Sequence, residues 1–67
     1  MTIDTKLLEQ SRAIQKACLE AAREGYEQAA MAGLCHEGAV ELSLDAIRSL
    51  DVESVLAGLD QDQAKQP

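Results

Sequence analysis

Six small residues stand at every fourth position through the first half of this 67-residue chain: Ala13, Ala17, Ala21, Gly25, Ala29 and Gly33. On an α-helix, residues four apart stack on nearly the same side. A ridge of Ala and Gly admits a second backbone far closer than a ridge of bulky side chains does. The spacing therefore predicts a helix lying tightly against another helix, with these six positions as the packing interface. Each four-residue step also drifts by about 40° around a 3.6-residue helix. Six steps wrap partway round the axis, so two different partner helices are expected to share the ridge.

Local signals place the ends of this helix. Asp4 suits an N-cap, with Ile3 and Leu8 spaced as a hydrophobic staple. Gly33 suits the left-handed residue after the last turn, and Leu34 is then placed to fold back on that turn. The expected helix 1 runs from Asp4 or Thr5 to about Ala32, some 40 Å at about 1.5 Å per residue. Its apolar or small positions are Leu7, Ser11, Ile14, Cys18, Ala21, Gly25, Ala29 and Ala32. Lys16–Glu20 and Arg23–Glu27 are expected as i,i+4 pairs on the outer side, each worth about 0.2–0.5 kcal/mol.

The connection Gly33–Gly38 is short, so helix 2 should return antiparallel. Helix 2 is expected from His36 to about Leu50. Val40, Leu44 and Ile47 form its buried stripe, beside Ala39, Ser43 and Leu50. Asp51 then caps a short helix 3, Val52 to about Leu59, with Leu50 and Val55 spaced as a second staple. Helix 3 should cap the N-terminal half of helix 1. Residues 60–67 carry no apolar pattern and are expected to be a disordered tail. The fold expected is all-α: one domain over residues 1–59, an antiparallel helical hairpin plus a short third helix, completed as a dimeric helical bundle.

The dimer follows from size. A chain of this length buries only about 60% of the surface its unfolded form exposes. Phe and Trp are absent and Tyr26 is the one aromatic, so no large ring anchors a core. Small domains short of core gain stability by association, most often as twofold dimers.

Charge narrows the partners. The formal net charge is −6, and the cations Lys6, Arg12, Lys16, Arg23, Arg48 and Lys65 are scattered among glutamates. Such a surface repels polyanions. The segment from Asp45 to Val55 has the outline of a helix-turn-helix, but its second helix carries Glu53 and no Lys or Arg to meet phosphate or guanine. No nucleic-acid partner is expected. No apolar run approaches the roughly 20 residues of a membrane span, and the first residues lack the regions of a signal peptide. A cytoplasmic protein with reduced thiols is the expectation.

Cys35, His36 and Glu37 are the one cluster of reactive residue types. A thiol at the start of a helix is favoured as thiolate, so this trio is the candidate thiol or ligand site. Adjacent helical residues point about 100° apart, however, and sequence supplies no acid to orient the imidazole. Cys18 lies too far along helix 1 to complete a metal site with Cys35, and a closed zinc site needs four preorganised ligands. No metal, cofactor or catalytic residue is assigned. The function expected is that of a small acidic, non-enzymatic interaction protein, an accessory or regulatory subunit working through a homodimer, a larger protein partner, or both. A thiol- or ligand-binding domain centred on Cys35-His36-Glu37 is the alternative.

Overall fold

The computed structural model of the chain describes the backbone of residues 4–65 and the side chains as far as Leu59. The described residues form three α-helices, α1 (Thr5–Met31), α2 (His36–Arg48) and α3 (Val52–Lys65), and no strand. The all-α expectation holds, and α1 packs against both α2 and α3. Contacts divide the chain into two compact units: Met1–Ala17 with Asp51–Pro67, and Cys18–Leu50.

In the first unit, both helix starts are made by aspartates. The Asp4 carboxylate accepts the Lys6 N–H at 3.0 Å, and its carbonyl accepts the Leu8 N–H. Asp51 does the same for α3, accepting the Ser54 N–H at 3.2 Å and the Ser54 hydroxyl at 2.6 Å. Each cap satisfies a backbone donor that the helix itself leaves unpaired. Ile3, expected opposite Leu8 in the staple, lies outside the described residues. Along α1 the half-buried positions are Gln10, Ala13, Ile14 and Ala17; along α3 they are Val55, Leu56, Gly58 and Leu59. Leu7, expected on the inner stripe, is 56% exposed instead, and Ser11 is also exposed. The helix α3 is longer than the Val52–Leu59 expected, its backbone staying helical through Lys65. Residues 60–65 contain no Gly or Pro to stop it, and Gln, Ala and Lys are good helix formers.

In the second unit, α1 ends as its sequence predicts. Gly33 has φ +91°, its N–H donates to the Ala30 carbonyl, and the Leu34 N–H donates to the Ala29 carbonyl. These are the two bonds of a Schellman stop. After a four-residue connection α2 doubles back along α1. It ends at Arg48 rather than Leu50, because Leu50 is already the residue before the Asp51 cap. Arg48 meets Asp45 at 2.8 Å, whereas the expected Lys16–Glu20 and Arg23–Glu27 pairs do not form among the described residues. Both are exposed pairs in the less favourable cation-first order, where side-chain entropy outweighs the small attraction.

The face that α2 turns inward corrects the sequence reading. Ala39, Ser43, Ala46 and Ile47 are buried or half-buried, while Val40 and Leu44 are exposed. Of the stripe expected inside, Ala39, Ser43, Ile47 and Leu50 are there, but Val40 and Leu44 are not, and the small Ala46 takes an inner place. Its partner on α1 is also small, and two small faces let the helices close until backbones nearly touch.

Candidate functional site

The ridge divides between the two units. Ala13 and Ala17 are half-buried in the first; Ala21 and Gly25 are half-buried and Ala29 is fully buried in the second. Gly25 carries the closest approach. A Cβ placed there would sit 3.1 Å from the Ala46 Cβ, 3.1 Å from the Leu42 carbonyl oxygen and 3.2 Å from the Ser43 Cα. Two of those atoms belong to backbone and cannot step aside. Gly33 is not a packing position: it is exposed, and a Cβ added there would meet no atom within 4 Å. Its role is the left-handed stop, which needs glycine for conformation and not for contact.

Beside the seam of α1 and α2 runs an open groove of about 320 Å³. Gly25, Ala29, Ala32 and Ala46 line it with little more than backbone and methyl groups, Leu42 supplies the one large apolar side chain, and Asp45 stands within it. Gln28 and Ser49 complete the lining. Nothing in the sequence reading marked this groove. Its α2 wall could have been found in the small residues Ala39, Ser43 and Ala46, spaced four and three apart. The groove itself depends on which way α2 is rotated against α1, which is a non-local fact.

The trio Cys35, His36 and Glu37 is not gathered into a site by hydrogen bonds among the described residues. Cys35 is exposed at the N-cap of α2 and makes no side-chain cap bond. His36 turns to α1 instead: its Nδ1 and the Tyr26 hydroxyl share a hydrogen bond of 3.0 Å, with the rings edge to face at 5.8 Å between centroids. Tyr26 is half-buried, so its ring packs while its hydroxyl reaches the pair. This contact ties the first turn of α2 to the penultimate turn of α1. It was invisible in sequence because ten residues and a reversal separate the partners. Cys18, on α1, is half-buried and unbonded to Cys35. Among the described residues no group of three His, Cys, Asp or Glu side chains is placed to hold a metal ion, and no helix is long and apolar enough to cross a membrane.

Apolar exposure is the other surface property. Leu19 is 66% and Met31 86% exposed, and Leu8, Leu34, Val40, Leu42, Leu44 and Val52 also face solvent. Only Ala29 and Ala39 are buried among the described residues. Two alanine methyl groups contribute on the order of 1–2 kcal/mol of burial, and the rest of the hairpin's packing comes from half-buried side chains such as Tyr26, Ile47 and Leu50.

No family model, curated protein or solved structure matches this chain. Its function is therefore argued from these surfaces alone.

Proposed function

We propose that this chain is a small acidic interaction protein, a non-enzymatic accessory or regulatory subunit that acts through helix–helix packing. The observation that carries the reading is the imbalance of burial: among the described residues nine large apolar side chains are exposed while the buried core is two alanines. Single exposed leucines are ordinary on any surface, but a helix pair with so little interior gains stability from whatever covers its remaining faces. In the first unit, Leu7, Leu8 and Val52 supply apolar area for self-association; the homodimer belongs to this proposal. The net charge of −6 favours protein partners over nucleic acid or anionic lipid. Sedimentation of the full chain at micromolar concentration, alone and after purification from its native cell, tests the role. A dimer or a defined complex with a larger protein is expected. A folded monomer that stays alone in both preparations overturns it.

A further inference from the structure

We draw no further inference here: the strongest candidate, the open groove along the α1–α2 seam, holds a single carboxylate, Asp45, which is already paired with Arg48, and nothing in the structure shows what covers its floor of Gly25, Ala29, Ala32 and Ala46.

Discussion

Glycine does three different jobs in this chain, and substitution separates them. Gly25 is a spacing residue: at 3.1 Å from a carbonyl oxygen and a methyl carbon of α2, even a Cβ is tight. Gly25→Leu should destabilise the protein by about 1–3 kcal/mol through overpacking. Gly58, inside α3, has open space around it. There the residue brings only its backbone entropy, and Gly58→Ala should stabilise by about 0.5–1 kcal/mol. Thermal or urea unfolding of both variants checks the pair, and the opposite signs are the point. A Gly25→Leu chain as stable as the parent would mean that α1 and α2 do not touch there. Gly33, third of the set, is held at φ +91° and is needed for its conformation.

For the elements, the helix caps are the most legible part of the molecule. Asp4, Gly33 and Asp51 act within a few residues of themselves, so their spacing in sequence is already their geometry. The Asp51 cap also makes a pH prediction. The Ser54 hydroxyl, and after it the Ser54 backbone N–H, hold the Asp51 carboxyl below its ordinary value of 3.8. A carboxyl whose folded pKa lies below its unfolded one contributes stability above the unfolded value, and loses that contribution as pH falls through the folded one. Ser54→Ala removes the larger cause. Its deficit against the parent, followed by circular dichroism from neutral to acid pH, should be greatest near neutrality and fade once the medium is more acid than the folded pKa. A deficit constant across that range would mean that the hydroxyl bond does not depend on the charge of Asp51. The rotation of α2 was not legible in the same way. Hydrophobicity ranks Val40 and Leu44 as the inner stripe, but the opposing surface of α1 is made of Ala and Gly. A small face packs best against another small face, so the expected Ala39 and Ser43 are inside together with Ala46, which was not expected, while Val40 and Leu44 are left out. The pairing of Tyr26 with His36 followed from that rotation.

At the level of the whole molecule, what matters is how little is buried. Among the described residues the buried interior is two alanines, and on the proposed role association adds the missing stability by mass action. The melting temperature should therefore rise with protein concentration, and Leu7→Gln should flatten that dependence by removing an apolar side chain that is 56% exposed. Calorimetry across a wide range of concentration reads both. A midpoint independent of concentration would exclude self-association and leave a different protein as the partner.

The residue order alone was enough to set three helices, the Asp4 and Asp51 caps that start α1 and α3, the Gly33 stop of α1, and the presence of a close helix contact at Gly25. Each of these depends on interactions within one or two turns, or on the bare size of a side chain. It was not enough to leave Val40 and Leu44 off the face of α2 that meets α1, nor to set where His36 points or that a groove opens beside the seam. Those depend on how two surfaces mate, and mating compares both surfaces at once: a stripe is inward or outward only relative to the stripe it meets.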